Sequence, residues 1–422
     1  MLIVKNVILT LTPSGYITLE KLNSSMSTKT RLNELEFTIP SLPFNEESVL
    51  GLKEILNNDV LDIQQVIQHL SFGGGFTTEA ITYVLRKVSL VMKQEPNVVE
   101  VTKNCVVLGD IHGQFFDLLN VLSTVSSDCF VFMGDYVDRG ESSFEVFFLL
   151  CCLKLTFPNQ FVLLRGNHET KLVSSQNQFK SECVTRYNEK VFEEFIHVFR
   201  TLPLCCLITS QHKKYLCVHG GISDKLPTVE SINSINRFCE PERDSALEDL
   251  LWSDPLDDDD IFSVSKGDDT VTKHLPKVSE LSSELQPLKM FFNSQSLKSV
   301  TSWFEATFVK NWDRGFGKKI GYKALKQFAL RNNITTIFRG HSYVDEGYHE
   351  MNYMIEDTPL ICTVFSAPNY MGEGDNTAAY CRIGDGKTMF HTFKTSTQNY
   401  VVHEFVLNFG ETLLFEKMCI TL

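Results

Sequence analysis

The sequence predicts an α/β fold of stacked layers, with its polar chemistry gathered where strands end. Short runs of valine, isoleucine, leucine, phenylalanine and cysteine recur: "CVVLGDIHG", "CFVFMGDYVDRG", "QFVLLRGNHE", "YLCVHGG", "TIFRGH" and "ICTVFSAPNY". Each stops at a polar or glycine-rich turn, and runs this short and apolar read as strands buried on both faces. Helical stretches separate several of them, the alternation expected of a layered α/β core.

Residues 1 to about 45 show weak periodicity and a Ser/Thr-rich patch, "NSSMSTKT", and read as a loosely held N-terminal extension. From Glu46 to about Val99 the pattern is helical: "ESVLGLKEILNND" and "TTEAITYVLRKVSLVMKQE" repeat apolar residues at three- and four-residue steps. "SSFEVFFLLCCLKL" opens with Ser142 three residues before Glu145, the spacing of a capping box. In "ECVTRYNEKVFEEFIHVF", Tyr187, Val191, Phe195 and Phe199 recur every four residues and predict one apolar helix face. Between Leu256 and about Lys310 the periodicity fails, and "LDDDDIFSVSKGDDTVTKHLPKVSELSSELQPL" reads as an acidic surface insertion, partly disordered.

Bulk properties exclude several function classes. At 422 residues, 43% hydrophobic and 22% charged, the chain has the composition of a soluble globular protein with a sizeable core. A formal net charge of -13 speaks against nonspecific binding to nucleic acid or to an anionic membrane. Met1 to Thr12 is apolar but short, without the charged lead-in or cleavage site of a signal peptide, and "VFFLLCCLKL" is too short to span a bilayer. The twelve cysteines lie mostly inside apolar runs, and the pairs at 151–152 and 205–206 lack C-x-x-C spacing. Buried thiols in a reducing compartment, cytoplasmic or nuclear, fit better than disulfides.

The strand ends collect Asp110, His112, Asp135, Asp138, Arg139, Asn167, His168, His219, Arg314 and His341. Any one of these turns alone reads as a structural turn, since Asn, Asp and Gly are ordinary turn residues. Together they make a mixed oxygen and nitrogen ligand set too large for one divalent ion. Two ions sharing a bridging carboxylate can use it, and a two-metal cluster is a device for phosphoester hydrolysis. The aspartates Asp257 to Asp260 lack EF-hand spacing and read as a solvated loop.

In their order, "GDIHGQ", "GDYVDRG", "LLRGNHE", "VHGG", "RGH" and "SAPNY" resemble the phosphoprotein phosphatase family of serine/threonine phosphatases, over roughly Glu46 to Phe393. The flanks, among them "FKSECVTRYNEKVFEEF", "NRFCEPERDSALEDLLWSDPLDD" and "RNNITTIFRGHSYVDEGY", resemble its calcineurin catalytic branch. The resemblance implies a metallophosphoesterase-type β-sandwich flanked by helices, with a dinuclear metal site at the strand C-terminal ends. It implies a catalytic domain over 46–395 and a C-terminal tail over 396–422. Asp110, His112 and Asp135 would hold one metal. Asp135 would bridge to a second, completed by Asn167, His219 and His341. The ions would be iron with zinc, or manganese. Arg139 and Arg314 would clamp the phosphate with Asn167 and Tyr370. His168 would act as general acid, oriented by Asp138, while a metal-bridging hydroxide attacks phosphoserine or phosphothreonine in protein substrates.

The sequence also departs from the family. After Arg314 it reads "GFGKKIGYK", so Lys318 and Lys319 replace apolar or aromatic groups near the expected substrate groove, and "RGHS" replaces the usual alanine-bearing turn. The chain given ends about where a regulatory-subunit helix would begin, which speaks against calcium control. The apolar stretch "VVHEFVLNFGETLLFEKMCI" suits packing on the catalytic core or docking of a regulatory subunit. A nucleoside polyphosphate hydrolase and a non-catalytic scaffold are the rival readings. The helical lead-in and "SAPNY" disfavour the first, and the complete ligand set disfavours the second.

Overall fold

Alternation inside each apolar run decides which core its side chains join. The computed structural model describes residues 48–256 and 305–396, apart from 352, 356 and 357, and the backbone of three N-terminal strands. Eleven strands form the two large sheets. In chain order they are β1 (Val98–Val101), β2 (Cys105–Leu108), β3 (Cys129–Phe132), β4 (Phe161–Leu163), β5 (Cys205–Ser210), β6 (Lys213–Val218), β7 (Thr336–Arg339), β8 (Tyr348–Glu350), β9 (Ile361–Val364), β10 (Ala378–Gly384) and β11 (Lys387–Phe393). One sheet runs β4-β3-β2-β10-β11 and the other β8-β9-β7-β6-β5-β1. Within them β2, β3 and β4 are parallel, as are β6, β7 and β9, so their C-terminal ends share one edge of the sandwich.

The six apolar runs are all strands, and their alternation is that of a helix-flanked sandwich. In β3, Phe130 and Phe132 join the helix-side core while Cys129 and Val131 join the core between the sheets. In β6, Leu216 and Val218 face the second helical layer while Tyr215 and Cys217 face inward. Helices Thr78–Lys93, Ser143–Thr156 and Glu189–Phe199 cover the first sheet, and Ala246–Trp252 and Tyr322–Asn332 the second. Each fully buried aliphatic or aromatic side chain adds about 1.5–3 kcal/mol. The expected buried thiols are there: Cys105, Cys129, Cys206, Cys217, Cys362 and Cys381 lie in the inter-sheet core, and burial pushes the Cys129 thiol up to about 11. Among the described residues no helix is long and apolar enough to cross a membrane.

Local expectations needed four corrections. The N-terminal stretch read as a loose extension contains a three-stranded antiparallel sheet, Leu2–Val4, Val7–Leu11 and Ile17–Lys21. The helix expected from Glu46 is only Leu52–Ile55; Asn58 and Asp59, at φ 50° and 64°, turn the chain into a hairpin first. Ser142 makes no side-chain cap. Its expected partner Glu145 pairs instead with Arg186 at 2.7 Å, and Glu182 accepts from the helix's Phe144 N at 2.9 Å. The single helix read through Tyr187 is two, Gln178–Arg186 and Glu189–Phe199, because Asn188 caps the second by accepting from Lys190 N and Val191 N. Val191, Phe195 and Phe199 still share its buried face. The acidic insertion, with its aspartate run, lies mostly outside the described residues, as does the tail beyond Ser396; its end is a strand, Phe308–Lys310, paired with Lys318–Ile320.

Replacing Asn188 by Ala removes two accepting contacts and is expected to cost about 1 kcal/mol. Urea denaturation measures this; an unchanged midpoint would show that the junction does not depend on the cap.

Candidate active site

The shared edge of the sandwich brings the sequence's polar residues together. Asp110 and His112 follow β2, Asp135, Asp138 and Arg139 follow β3, and Asn167 and His168 follow β4. From the second sheet come His219 after β6, His341 after β7 and Tyr370 after β9. The sheets meet here, through a bridge between Asp110 and Phe365 and a 2.8 Å bond from Gly109 N to Ser366 Oγ. The turns are strained: His112, Asp135, Asp138, Arg139 and His341 have φ of 45°, 54°, 69°, 74° and 66°. Such left-handed residues cost on the order of 1–3 kcal/mol each and persist only where surroundings over-determine them.

Hydrogen bonds behind the histidines decide what they present. His112 Nδ1 lies 2.9 Å from Val137 O and His219 Nδ1 lies 3.0 Å from Met133 O. A carbonyl only accepts, so each Nδ1 carries a proton and, where the ring is neutral, each Nε2 turns a lone pair inward. Burial works against a second proton on His219, but the charge of Asp135 outweighs it and raises its pKa. His112 Nε2 is 3.6 Å from Asp135 Oδ2 and 3.8 Å from Asp110 Oδ2, and His219 Nε2 is 3.3 Å from Asp135 Oδ1. Asn167 sets its amide oxygen 2.8 Å from His219 Nε2, 2.9 Å from His341 Nδ1 and 3.2 Å from Asp135 Oδ2. Where the imidazoles are neutral, oxygen and nitrogen lone pairs so close repel. Turning the amide over would satisfy them with protons, whereas a cation among them would hold the oxygen inward. Among the described residues two groups have the spacing to hold an ion: His112, Asp135 and His168, and Asp135, His219 and His341, each with ligand atoms within 4.8 Å of one another. They share Asp135, and all their members are buried. This donor set fits metal cations.

The electrostatics are those of a crowded, dry cluster. Burial and the charge of Asp135 raise Asp110 to about 6. Burial acts the same way on Asp135, but His219 and His168 outweigh it and hold its carboxyl well below the usual range. Burial, then His168, lowers His112 to about 3, keeping it neutral as a ligand must be.

His168 is engaged differently from the other histidines. Its Nδ1 lies 2.7 Å from Asp138 Oδ2, and Asp138 Oδ1 accepts from Phe179 N at 2.8 Å. Burial would lower its pKa, but Asp135 and Asp138 together raise it. Arg139 leaves a buried Nε without a partner, and the Tyr370 ring sits 5.3 Å from that of His112. Arg314 donates from Nε and Nη2 to Asp254, at 2.8 and 3.2 Å, and from Nη2 to His341 O at 2.8 Å; these bonds leave Nη1.

Two supporting residues escaped the sequence reading. Glu169, fully buried, accepts from Asp135 N at 2.7 Å, Tyr136 N at 2.9 Å and Gly166 N at 3.0 Å, so it ties the "GDYVDRG" and "GNHE" turns together. Asp254, inside the flank that ends "LLWSDPLDD", holds Arg314 and also accepts from Arg339 Nη2 at 2.8 Å and Asn311 Nδ2 at 2.8 Å. The signal was present, an acid inside "GNHE" and inside "WSDP", but nothing in spacing says which backbone or guanidinium it meets. At Gly340 a Cβ would lie 2.4 Å from Asp110 Oδ1, which accepts from His341 N at 2.8 Å.

Residues 104–345 match the family model described as calcineurin-like phosphoesterase. The chain is 33% identical over 336 residues to a serine/threonine-protein phosphatase 4 catalytic subunit of Eremothecium gossypii, 79% of this chain and 90% of that one. The chain belongs to the calcineurin-like phosphoesterases, in their serine/threonine phosphatase family. It is 32% identical over 352 residues to the phosphatase 2B catalytic subunit A2 of Saccharomyces cerevisiae, covering 82% of this chain. This phosphoesterase spans 55% of that yeast protein's length, about half. A solved protein serine/threonine phosphatase from Saccharomyces cerevisiae, described as similar to human phosphatase PP5, superimposes with a TM-score of 0.62 at 26% identity, over 80% of this chain and 97% of that one.

Replacing Asp254 by Ala would strand Arg339, whose side chain is 1% exposed, and free Arg314. Breaking a buried pair this way is expected to destabilise the fold by about 3–5 kcal/mol. Denaturant unfolding checks it; a loss under about 1 kcal/mol would mean that water replaces the carboxylate.

Proposed function

We propose that this chain is a metal-dependent protein phosphatase that hydrolyses phosphoserine and phosphothreonine. The observation that carries the reading is the pair of buried donor groups sharing Asp135, with the His168–Asp138 pair beside them. Asp110, His112 and Asp135 would hold one cation, and Asp135, Asn167, His219 and His341 the other. His168 meets the spacing criterion of the first group, but its Nδ1 is committed to Asp138 and its Nε2 is 3.9 Å from Asp135 Oδ2. That leaves Asp110 as the better ligand. When bound, two cations, iron with zinc or manganese, would supply an acidified water and neutralise phosphate oxygens.

The chain's own residues supply the rest. The unpartnered Nε of Arg139 and the free Nη1 of Arg314 are donors for a phosphoryl group, with Asn167 and Tyr370 beside it. Asp254 keeps the Arg314 guanidinium from swinging away. Asp138 fixes His168 through Nδ1 and helps raise its pKa, which favours a second proton at Nε2 that can pass to the departing serine or threonine oxygen. An alkoxide needs that proton far more than a nitrophenolate does. In this reading 46–395 is the catalytic domain and 396–422 a tail open to a regulatory subunit. The buried free thiols suit the cytoplasm or nucleus.

Metal analysis of the purified protein is expected to find about two ions per chain, and Asp135→Asn to lose at least about a hundredfold in activity. His168→Ala should slow a phosphoserine peptide much more than p-nitrophenyl phosphate. Equal losses on both would remove His168 as the acid. A wild type that stays inactive after reconstitution with manganese, iron or zinc would overturn the enzyme reading. Preference for a dinucleoside polyphosphate would overturn the substrate.

A further inference from the structure

We propose that Arg243, Phe316 and Trp252 form a fixed wall beside the metal cluster that selects phosphopeptides carrying an acidic residue close to the phosphorylated serine or threonine. The inference rests on the hydrolytic reading above and assigns it a specificity site. The three side chains make a continuous ladder. The Trp252 ring meets His341 edge to face at 5.5 Å, Phe316 stacks on Trp252 at 4.8 Å and 26°, and the Arg243 guanidinium lies 4.5 Å over Phe316.

The ladder is built into the backbone. Glu248, buried, accepts from Asp244 N at 3.0 Å and from Gly317 N at 3.4 Å, joining the loop that carries Arg243 to the turn that carries Phe316. Ser253 Oγ accepts from Lys318 N at 3.0 Å. Gly317, at φ 61°, lets that turn press on Trp252, where a Cβ would come within 2.7 Å of the tryptophan carbonyl carbon. This is the stretch where the sequence leaves its family, "GFGKK" after Arg314.

The charge of Arg243 is available to a ligand. Its side chain is 53% exposed, and its ion pair, to Glu248, is long at 3.9 Å. Lys318, in the same stretch, is by contrast held by Asp224 and by Asp249 at 3.6 Å. The wall therefore offers a guanidinium held over an aromatic ring, which can bind a carboxylate while keeping its contact with the ring. The ladder's steps put Arg243 within about 15 Å of the His341 ring, four to five residues of extended peptide at about 3.3 Å each. An Asp or Glu within about four residues of the phosphorylated one can reach it.

The test uses phosphoserine peptides with Glu, Ala or Lys at each of four positions on either side. Binding is read by fluorescence anisotropy and turnover by phosphate release. Glu at one or more positions should tighten binding and lower KM roughly tenfold relative to Lys, with kcat unchanged. Arg243→Ala should erase that preference and leave p-nitrophenyl phosphate turnover as it was. Arg243→Lys should restore part of it, and Phe316→Val should weaken it by removing the ring under the guanidinium. A wild type indifferent to Glu, or an Arg243→Ala variant that keeps the preference, overturns the wall. Glu-dependent binding without any turnover would sink the hydrolytic reading and leave the wall standing.

Discussion

Everything at the shared edge of the sandwich depends on the crowding of lone pairs around Asp135. Asp110, Asp135, Asp138 and Glu169 are each at most 2% exposed, in the turns that follow three adjacent strands. Taking carboxylates out of water is costly unless each meets a donor or a cation. Backbone amides meet part of the demand: Asp135 accepts from His168 N, Asp110 from His341 N and Asp138 from Phe179 N. The guanidiniums do not meet the rest, because Arg314 and Arg339 are spent on Asp254. The centre itself is left with oxygen and nitrogen facing oxygen and nitrogen. Cations bound there would therefore contribute to folding as well as chemistry.

The strained backbone belongs to the same account. Five site residues in the left-handed region would be a liability in isolation. They are held by contacts that could not form otherwise: His112 reaches Val137 O, and Asp138 N donates to Ser143 Oγ at 3.0 Å. Glu169 is the central tie, since one carboxylate takes protons from three amides on two turns. Aligning those turns aligns Asp135 with Asn167, so the geometry of the cluster is set from behind.

How much of this was legible follows from the range of each interaction. Strand runs and polar strand ends are patterns of a few residues: all six runs are strands, and nine of the ten polar residues lie at the sandwich's strand ends, while Arg314 reaches them from a separate hairpin. The division into two cores was not read, because "CFVF" and "YLCV" are apolar at every position and which core a side chain joins depends on the layer packed against each face. The failures are local rules overridden from a distance. Ser142 and Glu145 have capping-box spacing, yet Arg186 and Glu182 arrive from another helix and take over both roles. Tyr187 fits the four-residue period, yet Asn188 ends one helix and starts another. Asp254 sits 60 residues from Arg314 and 85 from Arg339, and no periodicity links them.

That distance also explains how the stretch after Arg314 can change without disturbing the cluster. Arg314 is anchored on its inner side, by Asp254 and His341 O, and Asn311 accepts from its backbone N at 3.3 Å. Phe316 and Lys318 are placed by Glu248, Trp252 and Ser253, which belong to the helix Ala246–Trp252 and its end. Of the ladder's members only Trp252 touches a cluster residue, and it does so through the ring of His341. Side chains beyond it could be exchanged while the donors around Asp135 stay where they are. The fold thus separates two demands: the arrangement of lone pairs at the strand ends, and the proposed wall, supported by one short helix.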